Sequence, residues 1–209
     1  YAEKSHTQPV IYLDKNENLK GLHFLDILYQ AIIKKVVVVL NYKSFKSREP
    51  QQFIFHPYIL KEFNNRWFLV GKKKVSQPIV NLALDRIEAV DFDFGHPYAE
   101  ENFNAENFYK DVIGVTVNQG QRVRTIRLWI DADNAPYVIT KPFHHSQKIE
   151  EHREDRSIVI SLMLKINYEF ERLIMGFGEG IEVLAPESLR QRIRDKHKKA
   201  LRKYDLPVK

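Results

Sequence analysis

The chain has 209 residues and a formal net charge of +6, with 44% hydrophobic and 29% charged residues, the balance of a folded globular protein with room for one large core or two small ones. It contains no cysteine, which excludes disulfides and thiolate metal sites and is compatible with the cytoplasmic location expected for it. The longest apolar run, Val36 to Leu40, is too short to span a membrane, and no charged start followed by an apolar stretch marks a signal peptide.

Leu22, Leu25, Leu28, Tyr29, Ile32 and Ile33 recur at helical spacing, with Asp26 and Gln30 on the other side, and predict an amphipathic helix over His23 to Lys35 entered at Gly21. The β-branched run from Val36 continues as a strand to Tyr42, and Lys43 to Pro50 reads as a polar turn region. Gln52 to Leu60 alternates, with Phe53, Phe55, Pro57 and Ile59 expected on one face and Ile54, His56, Tyr58 and Leu60 on the other. Glu62-Phe63-Asn64-Asn65 supplies a hairpin turn into a strand from Arg66 to Lys73. Ile79 to Leu84 and Glu88 to Phe94 complete five short strands, which predict a small β-barrel.

Gly95 to Lys110 combines turn residues, acids and aromatics and reads as an anchored connector. A second unit follows as strand (Val123 to Ile130), helix (Ala135 to Thr140), strand (Ser146 to Arg153), strand (Ser157 to Leu164), helix (Tyr168 to Gly176) and strand (Ile181 to Leu184). This β-α-β-β-α-β order is that of a ferredoxin-like domain. Pro186-Glu187-Ser188 opens a last helix. The expected division is a connector over 1–21, a barrel with its leading helix over 22–94, an acidic connector over 95–112 and a C-terminal domain over 113–209.

The charge is unevenly placed, and its position says more than its size. Arg190 to Lys203 holds eight basic residues and one acid, a local +7, so the rest of the chain sums to −1. Val36 to Val90 holds nine basic and four acidic residues, whereas Asp91 to Ile113 holds six acidic and one basic.

Trp67-Phe68-Leu69, preceded by Ala31-Ile32, Tyr42, His56-Pro57-Tyr58 and Asn65-Arg66 and followed by Leu84-Asp85-Arg86-Ile87, resembles the WYL-domain family of bacterial transcription regulators. The family's central Tyr is Phe68 here. His144-His145-Ser146-Gln147, Phe170-Glu171-Arg172 through Gly176-Phe177-Gly178, and Ile181 to Leu189 resemble the C-terminal extension, of WCX type, that often follows such domains. The resemblance covers roughly residues 20 to 205. It implies an Sm- or SH3-like barrel that senses nucleic acid or another anion, a homodimer, and a duplex-DNA reader of helix-turn-helix type in a part of the protein N-terminal to Tyr1. A chain that starts at Tyr1 is read as a fragment or a processed product.

On that resemblance, Lys43, His56, Arg66, Phe68 and Arg86 are the candidate ligand residues. Arginine offers phosphate a planar fork and lysine a point charge, and an exposed Phe68 can stack a base. Three have a competing structural role: Phe68 packing against a neighbour, His56 bonded to backbone, Arg86 paired with Asp85 or Glu88. Val80 and Ala83 stand where many relatives carry arginines, so a structural or dimerisation module with a degenerate ligand face is the alternative. Lys72-Lys73-Lys74 reads as a solvated hairpin tip or a nonspecific backbone contact.

No catalytic constellation is visible, and no enzyme, metal site or cofactor is expected. His144-His145 lacks a spaced third ligand. Gly176 to Gly180 lacks the Lys-Ser/Thr of a phosphate loop and precedes a strand instead of following one. Asp131-Ala132-Asp133 lacks further oxygen ligands.

Overall fold

The computed structural model describes residues 20–118 and 120–205, so the connector expected over 1–21 lies, but for its last two residues, outside the described residues. The chain divides into two compact units, Tyr1–Glu100 and Glu101–Lys209, and each is built on one antiparallel sheet.

In the first unit the expected helix begins with a 3-10 turn, Leu22–Phe24, before α1 (Leu25–Ile33). Gly21, at φ 86°, sits where a Cβ would fall 2.3 Å from the Leu84 carbonyl oxygen, so the helix can start against that segment only through a glycine. Lys35 at φ 51° turns the chain out of α1, and the Val36 amide donates back to the Ala31 carbonyl at 2.8 Å, which satisfies one of the helix's orphan carbonyls. The strands are β1 (Val37–Tyr42), β2 (Gln51–Phe63), β3 (Arg66–Lys72), β4 (Val80–Ala83) and β5 (Ile87–Asp93). They lie in the order β4-β3-β2-β1-β5. The β2–β3 hairpin is tighter than expected: Phe63 and Arg66 pair directly, and only Asn64 and Asn65, both at positive φ, make the turn. Asparagine tolerates that region, which a two-residue turn between twisted strands requires.

Two expectations change here. The alternation of β2 is broken by a bulge at Tyr58, between Pro57 and Ile59. One extra residue inverts the facing of everything after it, so Leu60, opposite Leu69, joins Phe53 and Phe55 on the core side. The expected partner Ile59 pairs with Val70 on the other side. The sheet is also open, since the end strands β4 and β5 share no ladder. β4 has four residues, and the chain leaves it through a 3-10 turn, Leu84–Arg86, before β5 pairs with β1.

The core of this unit joins Leu28 and Ala31 of α1 to Val38, Leu40, Phe55, Leu69 and Leu84, all at 1% exposure or less. Apart from Ala31, each such side chain contributes about 1.5–3 kcal/mol on burial. Trp67 packs against the same cluster.

In the second unit α2 (Ala105–Tyr109) falls within the segment read as connector, capped by the Asn104 side chain accepting from the Asn107 amide at 2.8 Å. It is followed by β6 (Arg124–Ile130), α3 (Ala135–Thr140), β7 (Lys148–His152), β8 (Ile158–Leu164), α4 (Tyr168–Gly176), β9 (Ile181–Ala185) and α5 (Glu187–Tyr204). The sheet order is β7-β8-β6-β9. Ile126, Leu128 and Ile130 of β6 and Ile158, Ile160 and Leu162 of β8 meet Phe170 and Ile174 of α4 and Leu189 and Ile193 of α5 in one buried cluster. The Asn167 side chain caps α4 at the Phe170 amide and donates to the carbonyls of Ile113 and Thr116, so the segment before β6 is fastened to α4.

Candidate functional site

Lys43, Arg66 and Arg86 come from three places in the sequence and gather around the 3-10 turn Leu84–Arg86. The Lys43 amide donates to the Arg86 carbonyl at 2.9 Å, which seats the end of β1 on the turn. Arg66, first residue of β3, places its guanidinium 3.5 Å from Asp85 Oδ2. The ion pair considered for Arg86 is therefore made by Arg66. Arg86 instead lays its guanidinium over the Phe45 ring, 4.0 Å from the centroid, a cation–π contact. Phe45 itself is 76% exposed. The turn is not satisfied internally: Asp85 Oδ1 and Arg86 Nε are buried without hydrogen-bond partners, an uncommon state for buried polar atoms.

Phe68 lies two residues along β3 from Arg66 and so on the same face, half-buried between Lys61 on β2 and Ala83 on β4. Its neighbours Trp67 and Leu69 point to the opposite side, into the core. Val80 and Ala83 lie on β4 opposite Gly71 and Phe68, and Ala83 is buried, leaving those two positions without a cation.

His56 stands apart from this group. It is 4% exposed, and its Nδ1 accepts from the Ala99 amide at 3.1 Å. The chain after β5 returns across this side of the sheet, where Tyr98 donates its hydroxyl to the Pro57 carbonyl at 2.6 Å and Tyr58 donates its own to the Ala99 carbonyl at 3.2 Å. Burial, with a smaller contribution from the charge of His96, holds the His56 imidazole below its ordinary pKa. Burial, aided by Tyr58 and Glu100, pushes the Tyr98 phenol up to about 12. Both groups are thus held neutral at physiological pH.

Sequence reasoning passed over Phe45, Lys61 and the Tyr98-Ala99 strap. Phe45 is an aromatic among Lys43, Lys46 and Arg48, the interleaving that marks nucleic-acid contacts, and was legible on that ground. Of the lysine run, Lys72 donates to the Val75 carbonyl and Lys73 sits 3.8 Å above the Phe53 ring, so neither is a free hairpin tip. The described residues hold no group of three or more His, Cys, Asp or Glu placed to bind a metal ion, and no described helix is long and apolar enough to cross a membrane. His144 is occupied locally, with Nε2 on the Lys110 carbonyl and Nδ1 on the Ser146 hydroxyl, both at 2.7 Å.

An open five-stranded sheet with a cationic turn, followed by a four-stranded sheet under α4 and α5, both antiparallel, defines a two-domain α+β chain, the class expected from the sequence. The family models agree with that division: the WYL domain matches residues 23–92 and the WCX domain residues 122–201. The chain carries a WYL domain followed by a WCX domain and belongs with proteins of that family. It is similar in structure to the proteasome accessory factor B/C (PafBC) of Arthrobacter aurescens, with 19% identity and a TM-score of 0.37, covering 92% of this chain and 29% of that one. It is also similar to a CRISPR Cas-related protein, with 10% identity and a TM-score of 0.51, covering 86% of this chain and 50% of that one. The chain thus spans half or less of the length of either structure. No curated protein sequence matches it.

Proposed function

We propose that this chain is the effector-sensing, non-enzymatic part of a cytoplasmic transcription regulator, and that its WYL domain binds single-stranded nucleic acid or a nucleotide-like anion. The observation that carries the reading is the convergence of Lys43, Arg66 and Arg86 on one turn beside the half-buried Phe68. Asp85 pairs with Arg66, while Lys43 and Arg86 have no ion-pair partner among the described residues, so the face keeps a positive surplus. Phosphate oxygens complement it, and Phe45 and Phe68 are aromatic surfaces for stacking. His56 stands apart from this face and contributes by holding the Tyr98-Ala99 strap in place. The strand order with its 3-10 turn supports reading the first unit as an opened Sm/SH3-like barrel. The second, with β6 between β8 and β9, supports a ferredoxin-like arrangement.

In this proposal the chain is a homodimer, and ligand binding shifts its geometry and biases an attached N-terminal DNA-binding domain. That shift requires unequal ligand affinity for the two states. The direct test is titration of labelled single-stranded DNA and RNA at several salt concentrations. Binding that weakens with salt supports the reading, and no binding at low salt sinks it. The second reading, a dimerisation or interaction module without an anionic ligand, is favoured by the uncharged Val80 and Ala83. It predicts a stable oligomer whose melting temperature ignores oligonucleotides.

A further inference from the structure

We propose that the second unit carries an anion site of its own, where the residues entering β6 meet the start of α5, and that it takes a phosphate-bearing ligand of nucleotide size. The place is a concavity of about 410 Å³ whose lining includes Arg122, Arg124, Ser188 and Arg192 and no carboxylate. That volume is in the range of small-molecule sites, roughly 300–1,000 Å³.

The fold explains why cations collect there. Arg124 shares its side of β6 with Ile126, Leu128 and Ile130, the side that α4 and α5 cover. It stands at the open end of the strand, where the apolar core gives way to solvent. Arg122 follows Gln121, which is pinned by its side-chain amide donating to the Ile166 carbonyl at 2.5 Å. Ser188 lies in the first turn of α5, an 18-residue helix preceded by Pro186, and the partial positive charge of that end favours an anion.

The electrostatic balance at this place leans positive. Arg127 is held by Glu150 and Glu151, and Arg190 by Glu182. Arg122 and Arg124 have no ion-pair partner among the described residues. Arg192 donates through Nε to Glu171 at 2.9 Å, but the same carboxylate also takes Lys196 at 2.6 Å, so one negative charge is shared by two positive ones. Glu187, the acid in the first turn of α5, accepts a hydrogen bond from the Gln191 side chain one helical turn on and keeps its charge beside Ser188. Two unpaired guanidinium forks and a half-neutralised third suit the oxygens of a phosphate or diphosphate. Within the basic stretch Arg190 to Lys203, Arg190 pairs with Glu182, and Arg192 and Lys196 share Glu171.

The test is isothermal titration of the intact chain with pyrophosphate and, separately, with adenosine diphosphate at low salt. In an Arg86→Gln background, which takes the first unit's cationic turn out of the measurement, saturable binding is expected, weakened at least about tenfold by adding Arg122→Gln/Arg124→Gln, with amide resonances of Gly120, Gln121 and Ser188 shifting on addition. A preference for the diphosphate nucleotide over pyrophosphate places a base in the concavity, and equal affinity places only the phosphates there. Both arginines are exposed, so an unchanged melting temperature certifies the variant. Undiminished binding by Arg122→Gln/Arg124→Gln, or no binding of either probe to the unaltered chain, overturns the proposal. Loss of binding in Arg86→Gln alone would assign the ligand to the first unit instead.

Discussion

Replacing Gly71 with alanine sets two opposite effects against each other at the end of the Trp67-Phe68-Leu69-Val70-Gly71 run. Alanine in place of a strand glycine ordinarily stabilises by about 0.5–1 kcal/mol, because the unfolded chain loses freedom. Here the new Cβ would lie 2.1 Å from the His56 carbonyl oxygen and 2.7 Å from Phe55 Cε1. Neither obstacle can move freely. The carbonyl belongs to β2 beside the Pro57–Gly71 pair and the Tyr58 bulge, and Phe55 is fully buried. Pushing β2 away also drags the His56 ring off the Ala99 amide. Overpacking costs about 1–3 kcal/mol and a lost hydrogen bond about 1 kcal/mol, so against the gain of about 0.5–1 kcal/mol the net expectation is a loss of about 1–3.5 kcal/mol. Urea unfolding in a Trp129→Phe background, where Trp67 fluorescence reports the first unit, should show a midpoint about 1 M lower at unchanged slope, given m near ~2 kcal/mol per M. An equal or higher midpoint would refute the packing argument.

Leu69→Ala, emptying a fully buried position, should lower the stability of the first unit by about 2–5 kcal/mol in the same assay. Phe68→Ala should leave that stability far less changed and weaken oligonucleotide affinity by about 1–3 kcal/mol if the ring stacks a base. The stability of the first unit should also depend on pH through His56. Its folded pKa lies below the reference value of 6.5, so the unfolded chain takes up a proton that the folded one refuses. Stability is therefore fully present above 6.5 and falls as pH drops below it. His56→Gln should flatten that fall, and an identical pH profile in the variant would assign the effect to other groups.

Local pattern carried much of this architecture in the sequence. Ala135–Thr140 and Tyr168–Gly176 form helices over the residues expected, and the five strands of the first unit lie close to where alternation and β-branching put them. What sequence did not reveal depends on long-range geometry. The Tyr58 bulge inverts the end of β2 without any glycine or proline at the extra residue to announce it. α2 is only five residues long and carries little periodicity. His56 is buried by Tyr98 and Ala99, some forty residues on, in a stretch whose acids and turns read as connector. Among the candidate residues, charge and motif order located Lys43, Arg66 and Arg86, but they could not show that Arg66 takes Asp85 and leaves Arg86 to Phe45.

The central claim, that the cationic turn of the WYL domain holds phosphates, is tested most directly by the salt dependence of single-stranded DNA binding in the intact chain and in Lys43→Gln/Arg86→Gln. Three phosphate contacts predict a slope of log affinity against log salt of about −2, and the double variant, keeping only Arg66, should fall to about −0.7. A double variant with the same slope and affinity as the unaltered chain would contradict the account.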